Sequence, residues 1–221
     1  MGHWIIAAAL AVYGGLLGVL LRRAGRPGGY LAEKTLCSAA FVALAALCAR
    51  LGSRPEAFWK LLPALLCCVA GDVVLALFNR RRRPALFLAG LVSFLAGHGL
   101  FVWGLCRLQP LGWPVPAAAL AGLAALLAVD RAGRVRLGRM RPWAMVYAVF
   151  VSALLGKGLQ LAAGLGETWC FLVLAGAALF WLSDLLILFL YFTPGEHRAL
   201  HAANLLTYYG AMALLALSLA F

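Results

Sequence analysis

Long apolar runs separated by short polar turns set the rhythm of this chain. Eight such runs can be marked off: Trp4–Leu21, about Leu31–Ala49, Phe58–Phe78, Pro84–Cys106, about Trp113–Val129, Pro142–Leu165, Thr168–Phe192 and about His197–Phe221. Each approaches or exceeds the ~20 apolar residues that, at about 1.5 Å per residue, carry a helix across a hydrocarbon core of about 30 Å. No run alternates with the two-residue period of a strand. The pattern therefore predicts an all-α membrane protein, with residues 1–221 forming one domain built as a bundle of eight transmembrane helices. The first run has no basic stretch before it and ends at Arg22 and Arg23. A cleavable leader has the opposite charge order, so this run is expected to be a retained helix.

Composition sharpens the class. Hydrophobic residues make up 65% of the 221 and charged ones 12%, a balance that would leave a water-soluble fold of this size with a largely apolar surface. The formal charge of +12 argues little for nucleic acid. The arginines sit in turns between apolar runs, where they meet anionic headgroups, and no basic face interleaved with aromatics is present. Counted turn by turn, the odd-numbered turns carry 13 Lys and Arg, Arg26, Arg198 and the block Arg80–Arg83 among them; the even-numbered turns carry 4. By the positive-inside rule the odd turns face the cytoplasm and both termini lie outside, in the plasma membrane if the source is bacterial. The six cysteines, at 37, 48, 67, 68, 106 and 170, form no Cys-Xaa-Xaa-Cys pair and read as small packing residues.

Against this background the polar residues inside the runs stand out. The third run holds Asp72, the fourth His98, the sixth Tyr147, Lys157 and Gln160, the seventh Ser183 and Asp184, and the eighth Asn204, Tyr208 and Tyr209. Lys34 opens the second beside Glu33. An ionised side chain at the centre of a membrane helix costs at least ~2.5–3.5 kcal/mol, so such groups are functional by default or belong to a structural ion pair. Counting along the helices places Lys34, Asp72, Tyr147, Asp184 and Asn204 in the arginine-rich half of the membrane, with His98 nearer the midplane. Lys157 and Gln160 fall toward the opposite face. An internal echo supports a shared depth. Residues 69–78 (VAGDVVLALF) and 181–190 (WLSDLLILFL) both read small residue, Asp, apolar run. Their offset puts each Asp on the third helix of a four-helix half, and an even number of helices per half gives a parallel repeat about an axis along the membrane normal.

Two carboxylates brought together in low dielectric can divide acid and base work: one keeps its proton and donates it, the other stays ionised and orients a water. The plainer alternative is that each acid is merely paired, Asp72 with Lys34 for instance. His98, between Gly97 and Gly99, is either a site member or a hydrogen-bonding link to a neighbouring helix. Lys34 has the alternative of snorkelling to the headgroups, and Lys157 is expected to do so at the opposite face. Asn204, Tyr208 and Tyr209 are either site residues or interhelical links. His3, His197 and His201, at or near helix ends, need no special role. No Gly-Xaa-Ser-Xaa-Gly elbow, His-Glu-Xaa-Xaa-His helix or P-loop is present, which removes support for serine-hydrolase, zincin or NTPase readings.

In these residues the chain resembles the YhhN family of multi-pass lysoplasmalogenases. The likeness runs over essentially the whole sequence. It is carried by Lys34, by Gly71-Asp72, by Phe-Leu-Ala-Gly-Leu-Val-Ser-Phe-Leu-Ala-Gly-His ending at His98, and by Tyr147. It continues in Gly176-Ala-Ala-Leu-Phe-Trp-Leu-Ser-Asp184 and in Asn204 with Tyr208-Tyr209. Met212 departs from the pattern, standing where members often carry glutamine. The resemblance implies hydrolysis of the vinyl ether bond of lysoplasmalogens to a fatty aldehyde and a glycerophospho-base. It implies Asp72 and Asp184 as the catalytic pair, with Lys34, His98, Tyr147, Asn204 and Tyr208 binding substrate, and neither metal nor cofactor. The expected partners are a lysophospholipid substrate and membrane lipids, not nucleic acid. Vinyl ether hydrolysis begins by protonation of the alkenyl carbon and needs an acid, a stabilising anion and a water. Two other classes use similar residues: an intramembrane aspartyl protease, whose usual motif pair is not matched, and a proton-coupled transporter with a path to both faces.

Overall fold

The computed structural model describes residues 2–24, 30–195 and 198–221. Arg26, counted above in the first basic turn, and His197, expected to open the last helix, lie outside them. The described residues form eight long helices: α1 (Gly2–Arg23), α2 (Leu31–Leu51), α3 (Pro55–Arg81), α4 (Pro84–Cys106), α5 (Pro114–Arg131), α6 (Arg141–Leu165), α7 (Thr168–Phe192) and α8 (Arg198–Leu217). Single 3-10 turns lie at Gly138–Met140 and Ser218–Ala220, and among the described residues there is no strand. All eight helices are long and apolar enough to cross a membrane. Tryptophans such as Trp4 and Trp113, 82% and 80% exposed, stand near helix ends, where amphipathic rings favour the interface.

The arginine block is not wholly a turn. Helix α3 continues through Arg80 and Arg81, and only Arg82 and Arg83 connect it to α4. Arginine is a good helix former, and the stop comes instead from Pro84, which disfavours helical backbone at Arg83. Arg82 takes the left-handed conformation (φ 54°) and its backbone N–H closes the helix on the Phe78 carbonyl.

The most intimate packing joins α3 to α4 and follows from three glycines spaced seven apart. A Cβ at Gly90 would strike the Leu75 side chain at 2.7 Å. At Gly97 it would lie 3.1 Å from Cys68 Sγ, and at Gly104 it would meet the Lys60 carbonyl at 2.7 Å. Small residues in register let two backbones approach, which is how helices gain attraction where no hydrophobic effect drives them together. Gly71 completes the seam from the other side, facing the Phe94 ring.

Helix order repeats across two halves. Helix α3 packs on α2 and α4, and α7 packs on α6 and α8; α2 meets α8 where α6 meets α4. The halves differ at their first helices. Helix α1 reaches α8 as well as α2, with the Tyr13 hydroxyl donating to the Tyr209 carbonyl at 2.8 Å. Its counterpart α5 lies against α6 and makes no close approach to α4. At the end away from the arginine turns, the expectation for Lys157 is overturned. It does not snorkel: it is fully buried, and its ammonium donates to the carbonyls of Gln109 (2.6 Å) and Pro110 (3.0 Å) and to Gln160 Oε1 (3.3 Å). The α4–α5 turn folds over the helix end and supplies acceptors nearer than the headgroups. Cys37, Cys48, Cys68 and Cys170 are buried and unpaired in the core.

Candidate functional site

Asp72 sits a third of the way back along α3 from its arginine end and is fully buried. Its Oδ2 accepts from Ser38 Oγ at 2.6 Å and from the Tyr208 hydroxyl at 2.7 Å, and its Oδ1 lies 3.1 Å from Lys34 Nζ. Lys34 is itself buried. Because Lys34 and Ser38 are four residues apart on α2, they present one face to α3. Tyr209 adds a second layer, its hydroxyl 3.1 Å from Ser38 Oγ and 3.2 Å from the Lys34 carbonyl. A full positive charge and two hydroxyl donors around one carboxyl group make the surroundings of a carboxylate anion.

Asp184 on α7 has different neighbours. His98 Nε2 lies 3.2 Å from its Oδ2, and the Tyr147 hydroxyl on α6 is near enough to interact with the same carboxyl group. The His98 ring packs on Tyr147 and Phe180 at centroid distances of 5.2 and 4.5 Å. Its Nδ1 is 2.8 Å from the Phe94 carbonyl, which can only accept, so Nδ1 carries a hydrogen. The contact between Nε2 and Oδ2 then needs one more proton, on the imidazole or on the acid, since two bare acceptors repel. His98 and Asp184 stand where one proton can be shared between them, whereas Asp72 is met by donors on both oxygens.

The two acids line one small cavity, about 400 Å³ of non-atom space with its mouth included, together with Lys34, Asn204, Tyr208 and also Tyr30, Asn79, Tyr191 and His201. Of the residues singled out in the sequence, Asp72, Asp184, Lys34, Asn204 and Tyr208 are thus brought together. His98 and Tyr147 stand behind Asp184 rather than on this cavity wall. The Asn204 amide is engaged with α7, donating to the Ser183 carbonyl and hydroxyl at 2.9 and 2.8 Å, so it fixes the helix turn that carries Asp184.

A second, larger pocket, about 960 Å³ with its open mouth included, lies where α5 stands away from α4. Its walls are nearly all apolar, with Phe87 and Leu91 on α4, Ala125 and Val129 on α5, and Leu188 on α7. Tyr147 lines it, and Ser152 and Trp181, hydrogen-bonded to each other at 3.0 Å, close one side. Four residues border both spaces: Leu75, Phe94, Asp184 and Ile187. Only Asp184 among them is ionisable. Within reach of this point the fold offers a long apolar slot, a proton-bearing His–Asp pair and an anion held by a buried lysine.

Sequence reasoning missed Ser38, Tyr30, Asn79, Tyr191 and His201. Tyr191 donates to Asn79 Oδ1 at 3.0 Å, and the two are 112 residues apart, the same offset as Asp72 and Asp184. Equivalent positions touch only where they flank the axis relating the halves. Each lies seven residues beyond its acid, two helical turns or about 10 Å. Extending the internal echo by two turns would have found them. Tyr30, just ahead of α2, is buried deeply enough that its phenol is pushed up to about 12, with the Asn79 hydrogen bond opposing the shift.

No curated protein and no solved structure matches the chain. The model of one protein family does, over residues 29–219, a span that includes α2 through α8 and every residue of the two spaces just described. The chain is a multi-pass membrane protein and belongs to the YhhN family.

Proposed function

We propose that this protein hydrolyses the vinyl ether bond of lysoplasmalogens, releasing a fatty aldehyde and a glycerophospho-base. The observation that carries the reading is the position of Asp184, among the described residues the single ionisable group bordering both the apolar slot and the small polar cavity. In a lysoplasmalogen the vinyl ether is the junction between hydrocarbon chain and glycerol. A chain in the slot and a glycerol in the cavity put that bond beside Asp184.

The chemistry divides between the two acids. The proton held by Asp184 and His98 passes to the alkenyl carbon, and the ether oxygen shares its electrons with the adjacent carbon to form an oxocarbenium ion. Asp72 opposes that positive charge and orients water. Water adds at the cationic carbon and gives a proton to the carboxylate that supplied the first, leaving a hemiacetal. The same acid then protonates the ether oxygen and takes back the hydroxyl proton, so that the hemiacetal collapses to aldehyde and glycerol hydroxyl and the pair is reprotonated for the next turnover. Lys34, Ser38 and Tyr208 hold Asp72 as the anion, and Tyr147 keeps the Asp184 carboxyl aimed at the slot. Both termini are taken as non-cytoplasmic, so that the arginine turns and the cavity mouth face the cytoplasm.

Purified protein in detergent, given lysoplasmenyl-ethanolamine, should release aldehyde in proportion to substrate lost, and Asp184→Asn should release none. Wild-type protein that binds the lipid but yields no aldehyde, or that moves protons or lipid across liposomes instead, would reject the hydrolase in favour of a transporter.

A further inference from the structure

Four side chains that this chemistry leaves unused close the arginine-rich end of the small cavity. They come from four places in the fold: Tyr30 before α2, Asn79 on α3, Tyr191 on α7 and His201 on α8. They form one hydrogen-bonded chain, and its direction follows from the donor inventory. The Asn79 amide oxygen only accepts, so Tyr191 donates to it at 3.0 Å. The amide nitrogen only donates, so the Tyr30 oxygen receives it at 2.9 Å. The Tyr30 hydroxyl, already accepting from Asn79, stands 3.0 Å from His201 Nε2 and can donate to it. A neutral imidazole accepting at Nε2 carries its hydrogen on Nδ1. That nitrogen is buried and has no hydrogen-bond partner among the described residues. With Tyr30 as donor, His201, a residue of the cavity wall, is left with a buried Nδ1–H that meets no acceptor among the described residues.

The surroundings say what kind of acceptor fits. Arg82 stands close enough for its charge to act on both Tyr30 and Tyr191. Its left-handed backbone, the one such non-glycine among the described residues, leaves the guanidinium 5.9 Å from the centre of the Phe78 ring. Near these groups Lys34 is committed to Asp72, while Arg82 has no carboxylate within salt-bridge distance among the described residues. The cluster lies two helical turns from the acids, a separation that a glycerol backbone and its phosphate can bridge.

We propose that Tyr30, Asn79, Tyr191 and His201 form the polar-end subsite, in which His201 Nδ1–H donates to a phosphodiester oxygen of a lysophospholipid and Arg82 supplies the opposing charge. The subsite rests on the reading of the protein as a lysophospholipid-binding hydrolase and adds what recognises the phosphate.

The test compares two non-cleavable ligands, a 1-alkyl ether lysophospholipid and the matching 1-alkylglycerol, which lacks only the phosphate and its base. Binding to full-length protein in detergent is read alongside kcat and KM on lysoplasmenyl-ethanolamine. Losing a hydrogen bond to a charged group should weaken lysophospholipid binding about tenfold or more. His201→Ala should show that loss with alkylglycerol binding unchanged, and KM should rise far more than kcat falls. Arg82→Gln, at an exposed position, should act in the same direction and guards against a folding defect in the His201 variant. Equal weakening of both ligands, or no effect on either, overturns the subsite. Selective loss of lysophospholipid binding in a protein that hydrolyses no vinyl ether would keep the subsite and reject the hydrolase. Intact aldehyde release with unchanged KM in both variants would keep the hydrolase and reject the subsite.

Discussion

The two halves of the bundle repeat one plan and surround their acids differently. Around Asp72 the α2 position is a lysine and the α8 position a tyrosine, with Ser38 added, and everything in contact donates. Around Asp184 the α4 position is a histidine and the α6 position a tyrosine, and the closest contact needs a shared proton. The outer helices diverge in the same sense. Tyr13 on α1 seals the first half against α8, whereas Ala125, 112 residues later, lines the open slot of the second. The repeated helix order brings two carboxyl groups to one cavity. Only the differences between the copies can give one a fixed negative charge and the other a movable proton and space for a chain. A perfectly symmetric dimer of four-helix halves would leave both acids in one state.

That contrast can be broken most sharply at Asp184. Asp184→Asn should lower aldehyde release by roughly 10³-fold or more with folded yield preserved, because it removes the acidic proton and little volume. The double variant with Asp72→Asn should cost little beyond the single change, as residues acting in one step are non-additive. Next comes the first half. Asp72→Asn leaves the Lys34 ammonium buried without its counter-charge, and thermal unfolding should report a loss of about 3 kcal/mol besides lost turnover. Adding Lys34→Met should recover most of that stability and none of the turnover. An active Lys34→Met/Asp72→Asn protein would make the first half purely structural. A smaller effect is expected in the slot: Ala125→Trp should raise KM about tenfold for long alkenyl chains and spare short ones, with kcat and melting temperature little changed. The smallest is Tyr13→Phe, which should cost about 1 kcal/mol in unfolding and leave kinetics untouched; a change in chain-length preference there would show that the first half also binds hydrocarbon.

Hydropathy made the helices legible because length and apolarity are all a bilayer asks of a span. What it could not convey was direction around each helix axis. Lys157 shows this well: its place in the half of α6 away from the arginine turns is legible by counting, but whether it points at lipid or at the α4–α5 turn depends on Gln109 and Pro110, about 48 residues away. Asp72, Lys34 and Tyr208 share a cavity wall for reasons visible in their depth. Yet the pairing of Lys34 with Asp72, rather than its escape to the headgroups, depends on how α2 and α3 are rotated about their own axes. Tyr30, Asn79, Tyr191 and His201 carry no signal of their own in the sequence, because polar residues near helix ends ordinarily meet headgroups. Arg80 and Arg81 read as a turn when charge marks the boundary, whereas Pro84 decides where α3 stops.

The buried ammonium of Lys157 also bears on how the chain is made. A lysine near the middle of an inserting segment carries an apparent cost of about 2.5–3.5 kcal/mol, and one toward the end somewhat less. Its acceptors, Gln109 and Pro110, precede it in the chain and so leave the ribosome first. When α6 partitions from the translocon, the turn that solvates its charge is already waiting. Insertion of α6 is thereby tied to prior placement of α4 and α5. Truncating the chain before Gln109 and fusing α6 to a neutral leader should lower the insertion efficiency of that segment, a biosynthetic dependence that the finished bundle no longer displays.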